Sequence, residues 1–300
     1  QEFIVPAILH QEFSTIANLV AAYSKVRRHN FAKSGIETAF WHLLSQAEGK
    51  PLAQLLGGTR TAIESGVSIG IEPDTKYLLK RIEGFLAQSY RRIKLKIGPG
   101  QDVEVLRQVR QAFPTIPLMA DANSAYTLAD LEHLKQLEAF NLLMIEQPLS
   151  HDDIIDHATL QRALSTPICL DESIHSAEDA RKALDLGSCR IINIKPGRVG
   201  GLLEACKIHD LCQARGIPVW CGGMHEYGIG RAHNIALSAL PNFSIPGDIS
   251  ASDKYYAEDL IDPPVTVEHG KIDVPQALGL GYTPNEERIA RFTVEKLTFT

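Results

Sequence analysis

The feature that most constrains the fold is a series of short apolar runs, each ending in an ionisable residue. The runs end at Lys96, Asp121, Glu146, Asp171 and Lys195, so successive ends are 24 or 25 residues apart. A helical pattern lies between each pair of runs. Strand, loop and helix at this spacing predict the repeating unit of a parallel α/β barrel. Because the C-terminal ends of barrel strands meet at one mouth, the five side chains are predicted to share one cavity.

We therefore predict an α/β fold, a (β/α)8-type TIM barrel that spans residues 61–262. Its first strand is predicted at residues 63–69 and its eighth at residues 243–245. Residues 1–60 have the apolar spacing of helices, and residues 263–300 are strand-like, with a turn at His269 and Gly270. The two terminal segments are expected to leave the barrel and pack together.

Composition argues against several classes of protein. The net charge is −6 without a basic block, which predicts no nucleic acid partner and no anionic membrane surface. No stretch approaches the ~18 apolar residues of a membrane span, and no signal peptide is visible. The five cysteines are odd in number and form no CxxC pair, which favours a reducing compartment over a disulfide framework. We therefore expect a cytoplasmic protein.

The run before Lys96 contains a second lysine. Lys94 and Lys96 are two residues apart on a predicted strand, so both side chains point to the same side. Ile93 and Leu95 form the alternate face, which is expected to pack under helices. Two ammonium groups in one cavity would be desolvated and would repel each other. Both effects lower the pKa of a lysine, so this pair is predicted to supply a general base.

The three carboxylates indicate a metal. Asp121, Glu146 and Asp171 end consecutive strands, and their negative charges would repel one another without a cation. Three oxygen ligands suit Mg²⁺, whereas Zn²⁺ is disfavoured because no histidine or cysteine lies at these positions. Three further residues are candidates to support the ligands through hydrogen bonds. Asn123 lies two residues after Asp121, Glu172 directly follows Asp171, and Asn193 lies two residues before Lys195.

Lys195 is predicted to lie across the barrel from Lys96, so that a carbon acid held between them faces a base on each side. A Schiff-base lysine of an aldolase-type barrel is the rival interpretation, although that chemistry does not need three convergent carboxylates. The glycine-rich residues 197–201 could cradle a phosphate before a helix.

Two further stretches are candidates for substrate contact. Residues 66–70 match the GxSxG pattern of hydrolases, but Ser68 lies within a strand rather than at the sharp turn which that motif needs. We interpret Ser68 as an inward-facing strand residue that can touch a ligand. Gly223 and Met224 follow the seventh predicted strand and are interpreted as a wall of the pocket.

Together these motifs resemble the enolase superfamily, specifically its muconate-lactonising subgroup, and the resemblance covers nearly the whole chain. The matching residues are Lys94-x-Lys96, Asp121-x-Asn123, Glu146-Gln147-Pro148, Asp171-Glu172-Ser173 and Lys195. Residues 221–224, 228–232 and 246–252 look like the o-succinylbenzoate synthases and N-acylamino acid racemases. The resemblance implies a modified, enolase-like barrel with a partial α+β capping domain built from both termini. Because relatives usually carry an N-terminal sheet, we expect this chain to begin inside the cap.

The resemblance also implies chemistry. It implies Mg²⁺, or alternatively Mn²⁺, held by Asp121, Glu146 and Asp171, and removal of a proton α to a carboxylate of a small-molecule substrate. The expected activity is a lyase reaction that forms o-succinylbenzoate, a menaquinone precursor. The alternatives are racemisation of an N-acylamino acid and a truncated, non-catalytic barrel. His225 and Tyr227 stand where relatives commonly carry an apolar residue and serine, which leaves substrate identity open. We also expect a homo-oligomer.

Overall fold

A seven-stranded parallel sheet forms the centre of the molecule. The computed structural model describes residues 1–299. The sheet has the order β2-β3-β4-β5-β6-β7-β8, so each strand lies beside the next one in the sequence. The strands of the described chain are β1 (Ala62–Glu64), β2 (Val67–Ile69), β3 (Ile93–Lys96), β4 (Leu118–Asp121), β5 (Ile145–Glu146), β6 (Ile168–Leu170), β7 (Ile191–Ile194), β8 (Val219–Cys221), β9 (Ile261–Asp262), β10 (Lys271–Asp273) and β11 (Thr283–Pro284).

Helices alternate with the strands of this sheet, and the predicted α/β barrel class is confirmed. The α-helices within residues 1–299 are α1 (Ile4–Ile8), α2 (Ile16–Ala22), α3 (Asn30–Ala47), α4 (Leu52–Leu55), α5 (Thr75–Ala87), α6 (Asp102–Ala112), α7 (Leu131–Leu134), α8 (Ile155–Ala163), α9 (Ala177–Leu186), α10 (Pro196–Val199), α11 (Leu202–Ala214), α12 (Gly228–Ser238) and α13 (Glu286–Phe292). Short 3₁₀ helices cover Leu128–Asp130, Lys135–Phe140 and Ser252–Lys254. None of the helices in the described chain is both long and apolar enough to cross a membrane.

Local sequence explains where the helices begin and end, as α9 illustrates. The Ser176 side chain accepts a hydrogen bond from the Asp179 N–H at its start, and its own hydroxyl donates to the Asp179 carboxylate. These contacts satisfy groups that the first helical turn leaves without partners. Gly187, with φ of 72°, ends the helix in the left-handed conformation that glycine adopts without steric cost.

The alternation of side chains along the strands divides the interior into two layers. Ile93 and Leu95 on β3 belong to the large apolar core between the sheet and the helices, which confirms their predicted outward direction. Inside the barrel, a separate small core is formed by Met119, Met144, Cys169, Ile191 and Trp220. Lys94 pairs in register with Met119, so it shares the inward-facing side of the sheet.

The barrel is closed by isolated bridges rather than by an eighth strand. The predicted eighth strand at residues 243–245 is wrong, because this segment makes only a bridge from Phe243 to Val219, while Gly247 bridges to Ser65 on the other side. The predicted first strand is split in two. Its first part, β1, pairs antiparallel with β10, and only β2 joins the barrel sheet. The wall between β8 and β2 is therefore the least regular part of the barrel.

The terminal segments contact each other and the barrel. Pro51 forms a bridge with Gly279, and the Leu52 N–H donates to the Gly279 carbonyl at 2.8 Å. The prediction of a strand-like C-terminal segment is incomplete, because helix α13 follows β11 there. On the N-terminal side, α3 packs against α10, the short helix that directly follows Lys195.

Candidate active site at the barrel mouth

The predicted ionisable residues do meet at the C-terminal ends of the barrel strands. Lys96, Asp121 and Glu146 lie side by side in register on β3, β4 and β5. Asp171 directly follows β6, and Lys195 directly follows β7. The carboxylates are almost completely buried, with exposed fractions of 1% for Asp121 and 0% for Glu146 and Asp171. The strand spacing therefore predicted the placement of these five residues.

Each carboxylate is paired with a cation from the chain. Lys96 Nζ lies 2.6 Å from Asp121 Oδ2, and Lys195 Nζ lies 2.6 Å from Asp171 Oδ2. Lys94 Nζ lies 2.9 Å from Glu146 Oε2 and 3.0 Å from Asp121 Oδ2. Lysine ammonium groups thus reach all three carboxylates, so the chain itself supplies cations beside the proposed metal ligands.

The pKa of Lys94 does not follow the prediction of a lowered value. Burial by itself lowers the pKa of Lys94, but the carboxylates of Asp248, Glu146 and Asp121 outweigh burial and raise it well above its usual value. For Lys195 burial likewise opposes charge, and Asp171 raises the pKa above the ordinary lysine value. The prediction considered repulsion between lysines and omitted the closer attraction to the carboxylates.

Glu146 is the one carboxyl group among the three proposed ligands whose pKa is raised. Burial raises the pKa of its carboxyl well above the usual range, and the neighbouring Asp121 and Asp171 raise it further. In contrast, the pKa of Asp171 is lowered despite burial, because Arg198 and Lys195 both stabilise its charge. The surroundings of Glu146 thus favour its uncharged form, whereas those of Asp171 favour its charged form.

The hydrogen-bond partners of the carboxylates include the predicted supporting residues. Asn193 Nδ2 donates to Glu146 Oε1 at 2.7 Å. Asn123 accepts from the Lys96 ammonium through Oδ1 and donates through Nδ2 to Glu172 Oε1 at 3.0 Å. Asn193 Oδ1 and Glu172 Oε2 are buried oxygen atoms without a partner in the described chain. Both are free acceptors next to the acidic cluster.

The acidic cluster of Asp121, Glu146 and Asp171 has the donor atoms that a divalent cation needs, but not the arrangement of a ready metal site. Within residues 1–299 no group of three or more His, Cys, Asp or Glu side chains is arranged to hold a metal ion, and lysine ammonium groups contact the three carboxylates. The donors themselves fit, since Asp121, Glu146 and Asp171 offer only hard oxygen atoms, as Mg²⁺ prefers. Two buried oxygen atoms without a partner in the described chain, Asn193 Oδ1 and Glu172 Oε2, are further hard donors beside them. The residues present are therefore compatible with a Mg²⁺ or Mn²⁺ site.

A large cavity lies beside Lys195 at the mouth of the barrel. It has a volume of about 1210 Å³, and Lys195, Glu172 and Met224 are among the residues that line it. Arg28 and His29 of the N-terminal segment also line it. Basic side chains from the N-terminal segment and from the barrel therefore lie on the wall of one cavity.

The predicted substrate-contacting residues occupy different depths. Met224 lines the cavity, whereas Ser68 lies deeper, in register with Lys94 on the adjacent strand. The Ser68 carbonyl accepts a hydrogen bond from Lys254 Nζ at 3.2 Å. Gly223 packs closely against the backbone of Asp248, where a Cβ would lie 2.7 Å from the carbonyl oxygen. Gly223 therefore allows a close approach of two chain segments below the mouth.

The phosphate-binding interpretation of residues 197–201 is wrong. The N–H groups of Leu202 and Leu203 at the start of α11 both donate to the Glu37 carboxylate at 2.7 Å. A carboxylate of the chain itself thus occupies the position that a phosphate would need.

Sequence reasoning missed three charged residues of the site. Arg198 pairs with Asp171, and Asp248 pairs with both Arg92 and Lys94. A signal for Arg92 existed, because it has the same period-two phase as Lys94 and Lys96. Asp248 lies in residues 246–252, which carry part of the family resemblance, but no periodic pattern gives the direction of its side chain.

Comparison with known proteins gives consistent results across the whole chain. Residues 78–288 match the family described as "Enolase C-terminal domain-like", and residues 1–57 match "Mandelate racemase / muconate lactonizing enzyme, N-terminal domain". An o-succinylbenzoate synthase of Geobacillus kaustophilus is 58% identical over 98% of this chain and 78% of its own length. An N-succinylamino acid racemase of Thermus thermophilus is 49% identical over 94% of this chain and 76% of its own.

A solved structure also places this chain among enolase superfamily proteins. A member of the enolase superfamily from Listeria innocua superposes with a TM-score of 0.93 and is 41% identical. The match covers 98% of this chain and 79% of that one.

Proposed function

Because the chain belongs to the enolase superfamily, we propose that it removes a proton from a carbon next to a carboxylate group, as an o-succinylbenzoate synthase. The observation that carries this proposal is the placement of Lys96 and Lys195 at the ends of β3 and β7, which lie four strands apart, with the acidic cluster between them. Two ammonium groups on opposite sides of the acidic cluster suit a carbon acid that presents one face to each.

The roles of the residues follow from their contacts. Asp121, Glu146 and Asp171 would hold a divalent cation, which when bound supplies positive charge to the substrate carboxylate. In its uncharged form, Lys96 accepts the α proton at Nζ and then passes it to the leaving hydroxyl group, which departs as water. Lys195 remains protonated and stabilises the negative charge that develops on the opposite face.

Lys94 has a different role from the other two lysines. It is only 3% exposed and contacts three carboxylates, so it has no access to a substrate proton. We assign it a fixed positive charge that balances the acidic cluster rather than a general base.

Racemisation of an N-acylamino acid is the second candidate. It is favoured by the 49% identity to an N-succinylamino acid racemase and by the presence of a lysine on each side of the site. In this reaction Lys96 and Lys195 would alternate as base and acid. The two reactions use the same residues and differ in whether Lys195 must accept a proton.

Direct assays separate these activities. Purified protein with Mg²⁺ is incubated either with the hydroxylated precursor of o-succinylbenzoate or with a single enantiomer of an N-succinylamino acid. Aromatic absorbance reports dehydration, and optical rotation reports racemisation. We expect dehydration in the first assay, and Lys96→Ala should abolish it. Absence of both reactions from well-folded protein with bound Mg²⁺ would refute the proposal.

A further inference from the structure

We infer that Asp248, fixed by Arg92, is a positioning residue that retains Lys94 when a divalent cation takes the oxygens of Asp121 and Glu146. This inference rests on the proposed function, because it concerns the cation that the function needs. It assigns a role to Asp248. This residue lies in residues 246–252, a stretch to which the proposed function gives no role.

Lys94 has three carboxylate partners. Its ammonium group lies 2.6 Å from Asp248 Oδ2, closer than to Glu146 at 2.9 Å or Asp121 at 3.0 Å. Two of these three carboxylates are proposed ligands, and Asp248 is not. If a cation engages the oxygens of Asp121 and Glu146, Asp248 is the acidic partner that remains to Lys94 among the described residues.

Loss of Asp248 would leave the ammonium group of Lys94 buried without a free counter-ion. The Lys94 side chain is 4% exposed, so water cannot replace a missing carboxylate. A buried ammonium group without a counter-ion is unfavourable, and beside a divalent cation it would also be repelled. Without Asp248, Lys94 would keep its contacts with Glu146 and Asp121 and would compete with the cation for them.

The third step is the anchoring of Asp248 itself. Its Oδ1 accepts a hydrogen bond from Arg92 Nη2 at 2.5 Å, and the Arg92 side chain is completely buried. Burial would raise the pKa of Asp248, but Arg92 and Lys94 hold it far below the usual range, so the carboxylate stays charged. Its backbone N–H also donates to the Cys221 carbonyl at 2.9 Å.

Arg92 is in turn held from several sides. Nε donates to the Pro246 carbonyl at 3.0 Å, and the guanidinium lies 4.9 Å from the centre of the Trp220 ring. Gly66 leaves room for it, since a Cβ there would lie 2.6 Å from Nη2. Arg92 therefore holds Asp248 at a fixed position, which a mobile surface acid could not maintain.

The experiment measures Mg²⁺ affinity by calorimetry, without substrate. We expect Asp248→Asn to bind Mg²⁺ about 10–100-fold more weakly than the parent protein, the usual effect of losing a residue that supports a metal ligand. Asp259→Asn is the matched control, because Asp259 is also buried and faces an arginine, Arg231, at 3.7 Å. It should lower stability and leave Mg²⁺ affinity unchanged.

Two further variants keep the test decisive. Asp248→Glu retains the negative charge and should bind Mg²⁺ within about threefold of the parent, even if Asp248→Asn fails to fold. In a Lys94→Met background, Asp248→Asn should have little further effect, because the residue it positions is gone.

Three results would overturn the inference. They are parental Mg²⁺ affinity in folded Asp248→Asn, a loss of tenfold or more in folded Asp248→Glu, and an undiminished effect of Asp248→Asn in the Lys94→Met background. Failure of the parent protein itself to bind Mg²⁺ would instead refute the proposed function, and the inference with it.

Discussion

The carboxylate of Glu37 occupies the space in which a side chain at position 201 would lie, so Gly201 and Glu37 fit together as a pair. A Cβ on Gly201 would overlap the Glu37 carboxylate. Gly201 also has φ of 138°, a conformation that other residues rarely adopt. Through this contact α3 of the N-terminal segment supplies the hydrogen-bond acceptor that begins helix α11 of the barrel.

The first prediction concerns this pair. Glu37→Ala leaves the N–H groups of Leu202 and Leu203 without an acceptor and should lower the free energy of unfolding by about 2–3 kcal/mol. Gly201→Ala should cost at least as much, because it adds a clash and backbone strain. In urea unfolding, the double variant should lose less than the sum of the single variants, since removing Glu37 removes the clash. Strictly additive losses would show that the two residues do not compete for space.

The second prediction concerns the metal. Glu146→Gln removes one proposed ligand charge while it keeps the size of the side chain. Mg²⁺ affinity measured by calorimetry should fall by at least about tenfold. Glu178→Gln, on the exposed side of α9, serves as a control and should bind Mg²⁺ like the parent. Undiminished affinity in Glu146→Gln would remove Glu146 from the ligand set.

The third prediction separates the two lysines by the face on which each acts. In D₂O with an N-succinylamino acid, each enantiomer should exchange its α proton through the lysine on its own side. Lys195→Ala should therefore retain exchange for one enantiomer and lose it for the other, and Lys96→Ala should show the reverse. Each loss should be about 10²–10⁴-fold, as expected for a general acid or base. Proton NMR of the α position measures both rates.

Lys195→Arg extends this test to the choice between reactions. Arginine keeps a positive charge but offers no accessible base. This variant should lose racemisation and retain part of any dehydration, whereas Lys96→Arg should lose both. Racemisation at the parental rate in Lys195→Arg would mean that Lys195 does not act as a base.

The fourth prediction concerns pH and Lys254. Burial lowers the pKa of Lys254 to about 8, with Asp248 opposing the shift and Lys94 adding to it. Between pH 8 and the ordinary pKa of lysine, the Lys254 side chain is therefore protonated in the unfolded chain and largely uncharged in the folded one. Because the unfolded chain binds more protons in this range, the free energy of unfolding should rise with pH. Burial of the charged group should cost up to about 3 kcal/mol at pH 7.

A methionine at this position tests the cost directly. Lys254→Met should be more stable than the parent at pH 7, and the difference should shrink as the pH approaches 10. Urea unfolding at both pH values measures this. Lys76→Met, at an exposed lysine on α5, is the control and should show no such pH dependence. A Lys254→Met protein that is no more stable than the parent at pH 7 would contradict the prediction.

The sequence predicted the acidic cluster because its members obey a simple rule. Asp121 and Glu146 each end a buried strand, and a constant spacing between strands is enough to place their side chains at one mouth. The alternation of Ile93 and Lys94 likewise gives the direction of each side chain from period two alone. Such local regularities do not depend on the rest of the fold.

The remaining features depend on contacts between distant parts of the chain. Glu37 caps a helix that begins 165 residues later, and no local pattern shows this. Asp248 lies in a segment without regular structure, so its direction could not be read from a period. The raised pKa of Lys94 depends on how many carboxylates surround it, a number that only the folded arrangement gives.

The absence of a regular strand at residues 243–245, between β8 and β2, affects how the barrel wall fluctuates. Residues 243–247 hold the wall together through isolated bridges, so their amide protons should exchange with solvent before those of the parallel strands. Asp248 directly follows this seam and contacts Lys94. Local opening of residues 243–247 would therefore also displace Asp248, the acid that faces Lys94. Fluctuations of the barrel wall are in this way coupled to the charge balance at the centre of the barrel.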